Sequence, residues 1–403
     1  MFYALYCRAY QLFLKFAVLF LNWSPPELLQ GPGSVKELPK LIKSHGLKKI
    51  LVVTDQNLRK LGLLDALLTE LDALGIAVAV YADTCANPTI ENVEQARALY
   101  LSERCEGIIA FGGGSPMDCA KVTGARVVRP GKPVQKMRGL FGVLRKLPPL
   151  YAIPTTAGTG SEVTIAAVIT DGETHEKFPI NDPSLRPRCA VLDPELTVGL
   201  PPHITSTTGM DALTHAVEAF IGRSNTRRTE AWALSATEAV FAHIETVYAD
   251  GKNLPAREAM LRAAFDAGLA FTRAYVGYVH AIAHALGGLY NVPHGLANAV
   301  ILPHMLDYFG ESAHKRLALL ADAAGIAREE RGDAEKANAF IAEMRAMNAR
   351  MGIPAGFDCI REEDIPTIAA RALREANPLY PVPKLMRAKD CEAFIAGLRT
   401  EKE

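Results

Sequence analysis

The chain has 403 residues, of which 49% are hydrophobic and 22% charged, with 44 basic residues set against 44 acidic ones. This length fits two or three domains with sizeable cores, and the even charge speaks against a nucleic-acid surface or an acidic tail. The seven cysteines are scattered with no CxxC pair, which argues against a disulfide framework or a thiolate zinc site and for a reducing, cytoplasmic setting.

The run from Tyr3 to Trp23 is strongly apolar. It lacks the basic start and small-residue cleavage site of a signal peptide. Arg8, Gln11 and Lys15 interrupt it, leaving too short an uncharged stretch for a membrane span. Those three recur at helical spacing and would form one stripe. The spacing predicts an amphipathic helix within residues 1–30, docked on its own protein or on a partner subunit. Membrane-surface contact through residues 1–23 is the rival, less favoured reading.

Farther along, Lys49–Thr54 (KILVVT) reads as the first strand, Leu63–Leu74 as a helix and Ala77–Tyr81 as a strand. Pro88–Leu101 reads as a helix and Gly107–Phe111 (GIIAF) as a buried strand; Pro149–Ile153 and Ala166–Thr170 are further strands. Such alternation predicts an α/β domain with a parallel sheet, over residues 31–203. The texture changes near Leu200-Pro201-Pro202, and residues 204–403 read as all-helical. The charge-rich run Arg328–Glu335 reads as a solvated helix end or loop.

Two polar glycine turns each follow a buried strand. In Gly112-Gly113-Gly114-Ser115-Pro116-Met117-Asp118, glycines permit close backbone approach and Pro116 suits the first turn of a helix. A strand, a glycine turn and a helix N-terminus make a phosphate site, although the GxGxxG fingerprint is absent. Pro154–Glu162 (PTTAGTGSE) offers hydroxyls to phosphate, ribose or nicotinamide amide, or is a solvated loop. Asp55 ends the first strand, where it could accept from a ribose hydroxyl and disfavour NADP, or cap the following turn.

Thr208–Gly222 (TGMDALTHAVEAFIG) sets Met210, Leu213, Val217 and Phe220 on an apolar helical face, and Asp211, His215 and Glu218 on a separate stripe. Residues four apart are helix neighbours, so Asp211 and His215 can close on one ion, which would relieve the cost of a carboxylate in an apolar helix. In Tyr278–Gly295 (YVHAIAHALGGLYNVPHG), His280 and His284 repeat that spacing, Gly287-Gly288 should end the helix, and His294 should lie in a short loop behind Pro293. A carboxylate with imidazoles suits Fe(II), Zn(II), Co(II) or Mn(II); the spacing alone leaves Asp211, His215, His280, His284 and His294 as equal candidates. His304 reads as a packed helix residue, and His45, His175, His203, His243 and His314 show no partner pattern.

The ordered set VVTD, NPTI, GGGSPMDCAK, PTTAGTGSEVT, VLDPELT, GMDALTHAVEAF and GYVHAIAHALGGLYNVPHG, over about residues 30–380, resembles the iron-containing (group III) alcohol dehydrogenases, including lactaldehyde reductases and butanol dehydrogenases. The resemblance implies a Rossmann-like domain followed by a helical domain, the dehydroquinate synthase-like architecture, with the active site in the cleft between them. It assigns the metal, Fe2+ with Zn2+ in some members, to Asp211, His215, His280 and His294, and a catalytic place near substrate to His284. Cofactor roles fall to Asp55, Asn87, Gly113, Gly114, Ser115, Asp118, Thr155, Thr156, Thr159, Val168 and Lys177, with NAD favoured over NADP. A homodimer is the implied assembly. The long N-terminal apolar segment, Ala285 where many members have glutamine or proline, and the basic stretch Gly222–Glu230 depart from the family pattern.

These readings lead to a metal-dependent oxidoreductase passing a hydride between NAD(H) and a primary alcohol or aldehyde. The alternatives are a dehydroquinate synthase-like or glycerol dehydrogenase-like enzyme, and a non-enzymatic metal-binding subunit.

Overall fold

Short apolar runs form one parallel sheet in the computed structural model, which describes residues 2–18, 24–174, 176–326 and 332–400. The end of the Tyr3–Trp23 run, His175 and the first half of Arg328–Glu335 lie outside the described residues. The strands of the chain are β1 (Glu27–Gln30), β2 (Lys49–Val53), β3 (Ala77–Tyr81), β4 (Gly107–Gly112), β5 (Gly139–Leu140), β6 (Leu150–Pro154), β7 (Ala166–Thr170), β8 (Lys177–Asn181) and β9 (Cys189–Leu192). The main sheet has the order β1-β9-β6-β4-β2-β3, and all its pairings are parallel.

β4, β6 and β9 are buried along their whole length, as parallel strands covered on both faces must be. Alternate side chains feed two cores. Leu51, Val53, Ile108, Ala110, Leu150 and Ala152 pack with residues of the helices Ile90–Ser102 and Gly114–Val128. Ile50, Val52, Ile109, Phe111, Tyr151 and Ile153 pack with residues of Leu38–Ser44 and Asp65–Ala73. From β2 the chain moves outward to β3, then returns to the other side of β2 as β4. Winding therefore reverses between β2 and β4, and the carboxyl ends beside such a reversal are where open α/β sheets take ligands.

The strand at Lys49 is the second in the chain, preceded by β1. Ala166–Thr170 is a strand, but it belongs to a second sheet, β5-β8-β7, where it pairs antiparallel with β8.

Contacts divide the chain into an α/β unit, Ser24–Leu200 with Gly251–Phe265, and a helical unit made of Pro201–Asp250, the residues from Asp266 onward and the N-terminal helix. No strand lies beyond Leu192 among the described residues. The helical unit opens with Pro202–Ile221, whose first-turn proline gives up an N–H that the helix would leave unpaired anyway. Tyr278–Tyr290 runs through Gly287 and Gly288 and ends where Asn291 takes φ +55°, because a left-handed residue terminates a helix whatever glycines precede it. His294 is not in a loop: it is the first residue of the helix His294–Phe309.

The N-terminal helix Phe2–Ala17 buries Cys7, Gln11 and Leu14. Its polar stripe faces the protein. Arg8 donates to Val382 O (2.8 Å) and Pro383 O (3.1 Å), Gln11 to Pro378 O (3.0 Å) and Tyr380 O (2.8 Å), and Lys15 to Arg223 O (3.1 Å). Among the described residues, no helix is long and apolar enough to cross a membrane.

Candidate metal centre and cofactor turns

At the carboxyl end of β4 the chain passes through Gly112 and Gly113 into the helix Gly114–Val128. The Pro154–Glu162 loop after β6 lies directly against that turn. Thr155 N donates to Gly112 O (3.1 Å), Thr156 Oγ1 approaches Gly113, and a Cβ on Gly114 would sit 2.6 Å from Thr159 Cγ2. Asp118 accepts from Ser161 Oγ and Val168 N, both at 2.8 Å. Lys177 Nζ donates to Asn87 Oδ1 (2.6 Å), and Asn87 N to Ser115 Oγ (3.3 Å). Burial draws the Lys177 ammonium down to about 8.

Asp55 caps the helix Gln56–Lys60, its Oδ1 accepting from Asn57 N (2.9 Å) and Leu58 N (3.0 Å), so the capping alternative left open by the sequence is present. The hydroxyl-rich loop is not a solvated connection. The buried Lys121 ammonium ties its end to the following segment, its three hydrogens shared among Ser161 Oγ (2.8 Å), Thr164 O (3.1 Å), Thr164 Oγ1 (2.9 Å) and Ala166 O (2.8 Å). Burial brings Lys121 down to about 8 and Glu162 beside it up to about 7. Lys121 stands inside GGGSPMDCAK, but nothing in its spacing distinguishes it from a surface lysine.

In the helical unit, three helices bring Asp211, His215, His280 and His294 together, with one potential ligand atom from each lying within 4.8 Å of every other. Asp211 and His215 come from Pro202–Ile221, His280 from Tyr278–Tyr290, and His294 from the first turn of His294–Phe309. The His215 ring stacks between Phe271 (4.2 Å) and His280 (4.4 Å). Asp211 Oδ1 stands 3.8 Å from His280 Nε2 and 3.6 Å from His294 Nε2. Gly295 permits this approach, because a Cβ there would lie 2.5 Å from the backbone oxygen of Thr207.

Glu218 orients His280. Its Oε2 bonds His280 Nδ1 at 2.6 Å and accepts from Gly277 N at 2.9 Å, while its Oε1 accepts from Val279 N at 2.9 Å. With the proton on Nδ1, the Nε2 lone pair points at Asp211, the second-layer arrangement typical of metal-bound imidazoles. Asn298, one helical turn after His294, was missed by the sequence reading. Its amide nitrogen lies 2.6 Å from Asp211 Oδ1, 3.2 Å from His280 Nε2 and 3.1 Å from His294 Nε2.

These residues fit a divalent cation. Two hydrogens on the Asn298 amide face three electron-rich atoms, and its own Oδ1 is buried without a partner. Burial raises the Asp211 carboxyl above its usual range and lowers His280 to about 3. A cation bonded to all four side chains would offset that desolvation, and the donor set of one carboxylate and three imidazoles matches Fe(II) or Zn(II).

His284 is not in this cluster. It stacks on His294 (5.1 Å, 17°) and bonds Glu375 Oε1 through Nδ1 at 2.8 Å. Tyr380 OH also donates to that oxygen (2.9 Å), so the imidazole is held from behind with Nε2 turned away from the carboxylate. Glu375 lies 91 residues from His284 in sequence, and no local pattern could have paired them.

Residues 25–194 match the iron-containing alcohol dehydrogenase model, and residues 205–397 match the C-terminal model of the Fe-containing alcohol dehydrogenase family. The chain is 35% identical to the NAD-dependent methanol dehydrogenase of Bacillus methanolicus, over 87% of this chain and 92% of that protein. It is 37% identical to lactaldehyde reductase of Escherichia coli K12, over 85% of this chain and 90% of the relative. The alcohol dehydrogenase from Oenococcus oeni superposes with a TM-score of 0.90 at 33% identity, covering 94% of this chain and 99% of that one. With its parallel-sheet domain followed by a helical domain bearing a buried Asp/His cluster, the chain belongs to the iron-containing alcohol dehydrogenase family.

Proposed function

We propose that this protein is an NAD-dependent, metal-dependent oxidoreductase that interconverts a primary alcohol and its aldehyde. The observation that carries the reading is the convergence of Asp211, His215, His280 and His294 on one buried point. A divalent ion held there, Fe2+ or Zn2+, would supply Lewis acidity to the substrate oxygen, and NAD(H) would supply the hydride chemistry.

The chain's own residues do the rest. Residues 31–203 provide the cofactor turns and residues 204–403 the metal ligands. The Gly113–Ser115 turn offers backbone N–H groups at a helix N-terminus to phosphate. Asn87, Lys177, Asp118, Thr155, Thr156, Thr159 and Val168 border the same turn. Asp55 at the end of β2 adds negative charge where a 2′-phosphate would sit, which favours NAD over NADP. His284, its Nδ1 bonded to Glu375, would move the hydroxyl proton through Nε2. The free cysteines suit the cytoplasm.

Purified protein loaded with Fe(II) or Zn(II) should oxidise NADH in the presence of short aldehydes, one NADH per aldehyde reduced. Full activity after complete metal removal would sink the Lewis-acid assignment. Catalysis without net NADH consumption would instead indicate a lyase that regenerates its nicotinamide.

Two neighbours of the ligands give finer expectations. Glu218→Gln should weaken metal affinity about 10- to 100-fold, the usual cost of losing an outer partner, read by competition with a chromogenic chelator. Glu375→Gln should lower kcat by about tenfold or more through His284 while metal content, measured by mass spectrometry, stays at the wild-type level. Metal loss in that variant would move Glu375 from proton relay to site support.

A further inference from the structure

The N-terminal helix is inverted: its polar stripe is turned inward and its apolar face outward. Phe2 is 83% exposed, Tyr3 59%, Leu5 68%, Tyr6 55%, Leu12 56%, Phe13 68% and Phe16 60%. Side chains of this size, so exposed, leave on the order of 1,000 Å² in water, more than the few hundred Å² of contiguous apolar surface a monomer ordinarily shows. Every charged residue of the helix, Arg8 and Lys15, is bonded to a backbone carbonyl of the body. The helix also precedes the residues matched by the family model, which begin at 25.

Basic charge lies beside the helix. Lys15 reaches Arg223 O, and the charge of Arg223 lies near enough to Arg8 to help lower its pKa. Arg223 opens the stretch that also holds the exposed Arg227 and Arg228, and Arg228 lies over the Trp232 ring (4.7 Å). The two sequence features that the dehydrogenase chemistry leaves unused, the apolar N-terminus and the basic 222–230 stretch, are thus neighbours in space.

We propose that the exposed face of the Phe2–Ala17 helix, with Arg223, Arg227 and Arg228, docks the protein on an anionic lipid bilayer. A protein interface of this size ordinarily carries about ten hydrogen bonds, yet the outward side chains of the helix itself are apolar apart from the hydroxyls of Tyr3, Tyr6 and the half-exposed Tyr10. Lipid asks for none, tyrosine and phenylalanine suit the boundary region, and arginines beside the apolar face match anionic headgroups. The helix lies on the bilayer and does not cross it.

Co-sedimentation of the full, metal-loaded protein with phosphatidylcholine vesicles, with and without phosphatidylglycerol, tests this. The protein should pellet with the phosphatidylglycerol vesicles and be partly released by salt. The triple variant Leu12→Glu, Phe13→Glu, Phe16→Glu should lower the bound fraction more than about tenfold. Arg227→Glu with Arg228→Glu should lower it severalfold on anionic vesicles only. Circular dichroism and NADH oxidation should match wild type in both variants, separating lost docking from lost folding. Absence of binding to either vesicle overturns the proposal. So does a wild-type dimer, seen by sedimentation equilibrium, that the triple variant dissociates while neither protein binds vesicles; the face would then belong to a second copy.

Discussion

His280→Ala should leave the purified protein without bound metal and lower kcat/KM by about a thousandfold. Lewis-acid assistance is worth several kcal/mol, and each ~1.4 kcal/mol is a factor of ten. As one of the four proposed ligands, His280 also has several neighbours at stake. Its removal frees Glu218 Oε2 from its 2.6 Å bond, opens the stack on His215 and takes one electron-rich atom from Asn298. Metal content by mass spectrometry and aldehyde-dependent NADH oxidation should fall together. A variant that keeps a full equivalent of metal would show that His280 packs the site without ligating.

Gly295→Ala should be nearly as damaging by a different route. The new Cβ would meet the Thr207 carbonyl at 2.5 Å, its carbon at 2.9 Å and Thr208 N at 3.4 Å. All three are backbone atoms of the Pro202–Ile221 helix, which cannot rotate aside as a side chain could, so the two helices must part. Overpacking of this kind costs about 1–3 kcal/mol, and the same displacement draws His294 away from Asp211. The expected result is a lower Tm together with weaker metal binding, read by thermal melts with and without added Zn(II). An unchanged Tm would mean that the first turn of His294–Phe309 yields freely.

How much of this was legible in the chain depends on how local each signal is. KILVV, AVAVY and GIIAF announced their strands because an unbroken apolar run bounded by polar residues has few other stable states. β1 and β9 did not, since ELLQ and CAVL are four residues each and become strands only because they pair with each other and, through β9, with β6. The i, i+4 pair Asp211 and His215 could be read from helical spacing, and their neighbourhood with the second histidine cluster came from family resemblance. Asn298 had a readable clue, standing four residues after His294 on one helix, but an asparagine among apolar residues draws no attention without its neighbours. Glu375 had none. Gly287-Gly288 misled because glycine weakens a helix without ending it, and the stop came from Asn291.

The attachment of the N-terminal helix has a consequence for how the protein can drift. Arg8, Gln11 and Lys15 all donate to main-chain oxygens, those of Pro378, Tyr380, Val382, Pro383 and Arg223. A point substitution can delete a side chain but not a carbonyl. The polar part of the berth therefore depends on the path of the receiving main chain and not on its side chains, so substitutions at Pro378, Val382 or Pro383 that keep that path leave these hydrogen bonds in place.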